Sequence, residues 1–173
     1  MELFETLKTR KSTRDFTDVQ IGEADLNEIL LAGSAAPIGM RKFESIHLTV
    51  VQNKELLDDM QKAAATAFGD TSRKPIYDAP TLIIVSSQEL GNSIEYANVG
   101  CIMENMALAA TALGLGNIYL WGITAFLGSQ PDYLQKLQIP EGFKPISALA
   151  VGYAVEELKP EKPWEHVFTI NKV

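Results

Sequence analysis

Ile94–Leu113, IEYANVGCIMENMALAATAL, is apolar on nearly every side of a helical projection. That pattern marks a helix buried at the centre of a domain, because a surface helix keeps one polar stripe. The run ends at Gly114-Leu115-Gly116, where a helix stop and tight turn are expected. It contains Asn98, Glu104, Asn105 and Thr111 and falls short of the ~20 apolar residues of a membrane span. An unpaired buried polar group costs roughly 1–3 kcal/mol, so Asn98, Glu104 and Asn105 are expected to bond loop backbone, a ligand or a second subunit.

Working outward, Thr81–Ser87 is continuously apolar up to its last two residues, as for a strand covered on both faces. The β-branched content of His47–Gln52, Asn117–Trp121 and Ile146–Tyr153 predicts three more strands. Helical spacing predicts a short helix around Leu3, Phe4 and Leu7, and others over Gly22–Gly33, Lys54–Phe68 and Pro131–Leu137. The residues from Ala154 onward are charged and proline-bearing and are expected to form an extended arm. No internal repeat interrupts the order, and residues 1–173 are read as a single α+β domain.

The composition is globular: 46% apolar and 21% charged residues exclude the disordered and collagenous classes. A net charge of −7 argues against a general nucleic-acid binder, which needs a positive face. The acidic, amphipathic start does not read as a secretory signal, and the single cysteine, Cys101, allows no intrachain disulfide; a cytoplasmic location is expected. Cys101 lies mid-helix and is expected to be a buried, inert thiol. With His47, His166 and Cys101 scattered, no metal-ligand spacing exists, and nothing recommends a hydrolytic triad.

Against that acidic background Arg10-Lys11-Ser12-Thr13-Arg14 places three cations and two hydroxyls within five residues. Charge together with hydrogen-bond donors suits a phosphate. A solvated charge run or a basophilic phosphorylation site is the plainer alternative. Gly114-Leu115-Gly116 is not a dinucleotide fingerprint, since it joins a helix to a strand and the fingerprint requires the reverse order.

Taken in order, these segments resemble the nitroreductase family of FMN enzymes over nearly the whole chain. Arg10-Lys11-Ser12-Thr13-Arg14-Asp15-Phe16 is similar to the family's Arg-(Arg/His)-Ser-x-(Arg/Lys)-x-Phe element, which implies that Arg10, Lys11, Ser12 and Arg14 contact the flavin. Ala35-Ala36-Pro37 resembles the start of the second flavin loop, which crosses from the partner subunit. Pro37, Ile38 and Gly39 would touch the ring through backbone, although Ile38–Phe43 departs from the family's serine, asparagine and Gln-Pro-Trp. Asp78–Val85 resembles the Ala-Pro strand, and Asn98–Gly116 the long central helix. Leu120-Trp121-Gly122 falls beside the reactive edge of the isoalloxazine, and Lys162 where a cation meets the FMN phosphate.

The resemblance implies a central mixed or antiparallel sheet flanked by helices, an intertwined homodimer, and FMN as cofactor. It also implies ping-pong hydride transfer from NAD(P)H to nitroaromatics, quinones or free flavin. Lys11 and Arg14, with Arg73 and Lys74 from a neighbouring loop, are the candidates to stabilise the reduced flavin. Three alternatives stand beside it: a relative acting on an enone or halogenated aromatic, a flavin-binding storage or sensor protein without turnover, and a structural dimer with no cofactor.

Overall fold

In a computed structural model of the protein, which describes residues 1–91 and 93–173, strand β2 (Thr81–Gln88) is buried at every position except the last. It lies inside a four-stranded sheet of order β1-β2-β4-β3, with β1 at Ile46–Val51, β3 at Gly116–Leu120 and β4 at Phe143–Gly152. Every pairing is antiparallel.

The strand alternation explains the apolar run. Leu82 and Ile84 of β2, with Ala148 and Ala150 of β4, face one layer of core, where α3 (Lys54–Ala67), α5 (Gly122–Gly128) and α6 (Pro131–Lys136) supply Leu57, Met60, Ile123, Leu127 and Tyr133. Ile83, Val85, Leu149 and Val151 face the opposite layer, filled by Leu26 and Ile29 of α2 (Glu23–Ser34) and by Val99, Ile102, Met103 and Met106 of α4 (Ile94–Ala112). Successive side chains of a strand point to opposite faces, so two covered faces require apolar residues throughout.

The turn that ends α4 places Gly114 at φ +80°, with Leu115 N–H donating to the Ala110 carbonyl and Gly114 N–H to that of Thr111. These bonds satisfy carbonyls the helix leaves open. Asn105 Nδ2 donates to the Ala32 carbonyl of α2 at 3.0 Å, and Asn98 Oδ1 accepts from Gly39 N–H at 2.9 Å, so two of the polar helix residues bond other backbone.

Three expectations are corrected. Cys101 is exposed, and so are Ala97 and Glu104 on the same side of α4. The sheet, α2 and the N-terminal helix Leu3–Thr9 pack on part of this all-round apolar helix, and among the described residues nothing covers the side that carries Ala97, Cys101 and Glu104. Glu104 therefore needs no buried partner. The third correction is α5, absent from the sequence reading, which follows directly on β3.

Candidate functional site

The short helix α1 (Leu3–Thr9) releases the chain at Arg10, and the next residues run beside β3. Ser12 forms a parallel bridge with Asn117, and Thr13 N–H donates to the Asn117 carbonyl at 2.9 Å. Gly116 makes this approach possible: a Cβ there would stand 2.8 Å from Thr13 Cγ2 and Oγ1. Phe16 bridges Ala154 and buries its ring in the core, while Thr17 N–H and Val155 N–H bond the Tyr153 and Asp15 carbonyls. The cationic segment is thus fixed by backbone at both ends.

Its side chains separate into two groups. Ser12 and Arg14 line a cavity of about 320 Å³ together with Leu120, Trp121 and Gly122, where β3 ends and α5 begins. Arg73, Lys74, Phe68 and Tyr77 close its other side. Among the described residues Arg14 donates to the Ser12 carbonyl, at 3.3 Å, and forms no ion pair. Arg73 lies over the Phe68 ring at 5.2 Å, whereas Lys74 pairs with Asp78.

Arg10 belongs to the second group. The arm folds back over α1, so that Glu161 and Lys162 N–H both donate to the Lys8 carbonyl and Lys162 Nζ reaches the Leu7 carbonyl at 3.3 Å. Burial, and then the nearby Arg10 guanidinium, hold the Lys162 ammonium below its ordinary value. Arg10 makes no ion pair among the described residues, so two neighbouring cations share an environment that the nearby Glu104 offsets only in part and that a bound anion would relieve further. Lys11 differs: it pairs with Glu161 at 3.2 Å and lies 4.0 Å from Glu156, so its charge is already met.

The loop residues Pro37, Ile38 and Gly39 are not brought to this cavity within one chain. Ile38 lines a separate apolar cavity of about 270 Å³, with Gly33, Phe43, Leu48 and Ile102. Gly39 sits against α4, where a Cβ would collide with Ile94 Cδ1. The structure therefore assembles Ser12, Arg14, Leu120, Trp121 and Gly122 in one place, Arg10 and Lys162 in another, and Pro37–Gly39 in a third. Phe68 and Tyr77 were missed by sequence reasoning; an aromatic just past a helix end and one in a turn carry no chemical pattern to find.

Arg10 and Arg14, without an ion pair among the described residues, beside a cavity walled by aromatic and apolar side chains, fit a ligand that is planar at one end and anionic at the other. FMN has that form. The class defined by this fold and site is a sheet-and-helix protein built to hold such a cofactor.

The chain belongs to the nitroreductase family, whose family model matches residues 7–153. A crystal structure of a nitroreductase with bound FMN from Bacteroides fragilis has a TM-score of 0.86 and 32% identity, covering 99% of this chain and 100% of that one. A second, from Desulfitobacterium hafniense and also with bound FMN, has a TM-score of 0.82 and 27% identity, covering 99% and 100%. A Bacillus subtilis protein named FMN reductase (NAD(P)H) is 24% identical over 96% of this chain and 72% of its own length.

Proposed function

We propose that the protein is an FMN-dependent oxidoreductase that oxidises NAD(P)H and delivers the two electrons to a small aromatic acceptor, a quinone or a nitroaromatic. The observation that carries this reading is the placement of unpaired Arg14 in the cavity at the end of β3, with unpaired Arg10 and Lys162 on the same anchored segment and arm. Bound FMN supplies a centre that accepts a hydride and gives up electrons.

The chain's own residues do the rest. Arg10 and Lys162 hold the phosphate through charge and hydrogen bonds, and Ser12 and Arg14 offer donors to the polar end of the ring. Arg14 and Arg73 place positive charge where negative charge develops on reduction. Leu120 and Trp121 line the cavity and would lie against the ring, and Gly122 leaves the backbone open at the start of α5. No side chain is needed as general acid or base.

The protein works as a dimer in this reading. The separation of Pro37–Gly39 from the Arg14 cavity is resolved when a second copy brings its loop across. The uncovered side of α4, the unpaired outer edge of β1, and the exposed Trp164, Val167 and Phe168 of the arm supply apolar area for that contact. Sedimentation should give twice the 19.0 kDa chain mass.

The deciding experiment is an absorption spectrum of purified protein, with the released chromophore identified by mass, before and after anaerobic addition of NADH or NADPH. FMN that bleaches is the expected result. FMN that stays oxidised would mark a storage or sensor protein, and a colourless protein that takes up no FMN would overturn the assignment.

A further inference from the structure

Trp121 belongs to two cavities. Besides the one it shares with Arg14, it walls a neighbouring cavity of about 410 Å³ with Tyr96, Ala125, Gly128, Pro145 and Ile146. The second cavity lies between the start of α4, helix α5 and the first residues of β4. Tyr96 and Trp121 stand with ring centroids 6.1 Å apart and planes at 34°, both about half exposed. Large aromatic faces left open beside a redox cavity are binding surface, because burying each would be favourable.

The backbone under Trp121 is firm. Thr124 Oγ1 donates to the Trp121 carbonyl at 2.8 Å and lies 3.0 Å from that of Ile146, tying α3's neighbour α5 to β4 beneath the indole. The cation on the rim, Lys144, is paired with Glu89 at 3.1 Å, so among the described residues the cavity lining presents no free charge to an occupant. A neutral, apolar group suits it. A second phosphate or a carboxylate does not.

We infer that this cavity receives the apolar substituent of an alkylated quinone whose ring reacts against the flavin held in the Arg14 cavity, and that Tyr96 and Trp121 set the preference for such acceptors over unsubstituted ones. The inference rests on the redox reading above. The reaction balances without another reagent: NAD(P)H gives a hydride, solvent a proton, and the quinone takes both to become the hydroquinone. Continuity through the Trp121 side chain joins the place where the ring reacts to the place where its tail lies.

Gly128→Leu tests the idea by filling the cavity. A Cβ there would make only an ordinary contact, 3.8 Å from Pro145 Cδ, so the added side chain has room to enter. Menadione and a pentyl-bearing naphthoquinone share a head group and differ in the chain. The holoenzyme variant should lose about 10-fold or more in kcat/KM for the pentyl quinone and stay within about 2-fold for menadione, the scale of hydrophobic pocket discrimination. Tyr96→Ala should lower the same ratio by removing one wall. Calorimetric binding of the pentyl quinone to oxidised holoenzyme, without NAD(P)H, should weaken in parallel. Equal losses for both quinones, or an unchanged ratio in both variants, would overturn the inference. Anaerobic bleaching by NAD(P)H is read separately, so a failure of turnover itself is distinguished from a failure of selectivity.

Discussion

The segment Arg10–Phe16 and the loop Pro37–Lys42 are both expected to meet one ligand, yet the fold holds them by opposite means. The first is clamped by backbone: Ser12 and Phe16 sit in bridges, Thr13 bonds Asn117, and Gly116 lets it lie close. Phe16 and Thr13 are buried and Lys11 is paired, while the side chains of Arg10 and Arg14 are left without an ion pair among the described residues. The second is tied to the core by the Asn98 side chain and contains two consecutive non-glycine residues, Met40 and Arg41, at φ +56°. A clamped segment is finished within its own chain. A loop tied by one side-chain hydrogen bond and the packing of Ile38, and carrying stored strain, is suited to settling against something else, which in the proposed dimer would be a second copy and its cofactor.

The comparison breaks most severely at Gly116. Gly116→Val puts a branched side chain into a space where even Cβ meets Thr13 at 2.8 Å and Ala154 at 3.0 Å. Both neighbours are backbone-fixed, so the strain should cost about 1–3 kcal/mol. The thermal midpoint should fall by several degrees. FMN, measured by its fluorescence after gel filtration, should be lost as well, because the displaced strand carries Ser12 and Arg14. Retention of FMN at unchanged affinity would mean that the clamp does not position the site.

Arg10→Ala is the next largest effect and sharpens the distinction between anchoring and binding. Charge-assisted hydrogen bonds contribute roughly 1.5–3 kcal/mol, so FMN affinity should fall by about 10–100-fold. The apoprotein should be no less stable, since Arg10 lowers the Lys162 pKa by repulsion and makes no ion pair among the described residues. The pH dependence follows the same pair. The ammonium of Lys162 is the binding form, so affinity is full below its lowered pKa and declines as pH rises through it, before the ordinary 10.5. In Arg10→Ala that decline should move upward. An alkaline limb that does not move would separate Lys162 from the phosphate.

Legibility in the sequence follows the same division. Strand β2 and helix α4 could be read because burial on many sides leaves an apolar run with glycine or proline at its ends, and the boundaries found are within a residue or two. Helix α5 could not. Its seven residues, GITAFLG, begin and end in glycine and lack a side-chain cap; Ile123 and Leu127, buried in the core below, hold it in place. The first part of β4 was hidden by Pro145, which sits where the β2–β4 register shifts between Val85 and Ser86 and a strand tolerates proline. Cys101 was misread because periodicity reports that a helix has apolar sides and not whether its own chain covers them. In the site, the Arg10–Arg14 cluster was visible as charge against an acidic background. That Lys11 is neutralised by Glu161 while Arg10 is not depends on where the arm returns, 150 residues later in sequence.

On the loop side, Asn98→Ala removes the acceptor for Gly39 N–H and should cost about 1 kcal/mol. FMN affinity should change less than in Arg10→Ala, while the Michaelis constant for acceptors should rise if, as in the proposed dimer, the freed loop forms part of the floor on which they lie. A loss of FMN equal to that of Arg10→Ala would show that the two regions bind as one unit and that the contrast between them is only one of local geometry.

The smallest expected effect tests whether the strain itself has a use. A left-handed conformation costs a non-glycine residue roughly 1–2 kcal/mol, and glycine adopts it freely but gains entropy in the unfolded chain. Met40→Gly should therefore stabilise the protein by less than about 1 kcal/mol. Met40 is exposed and leaves no cavity when truncated, so the backbone term stands alone. If the strain only reflects a turn that must be made, acceptor kinetics will be unchanged in the more stable variant. If it holds the loop in the shape a second subunit needs, the same substitution will raise the acceptor Michaelis constant while the melting midpoint rises. Opposite movement of stability and function would place Pro37–Lys42, unlike Arg10–Phe16, among segments whose conformation is completed by assembly.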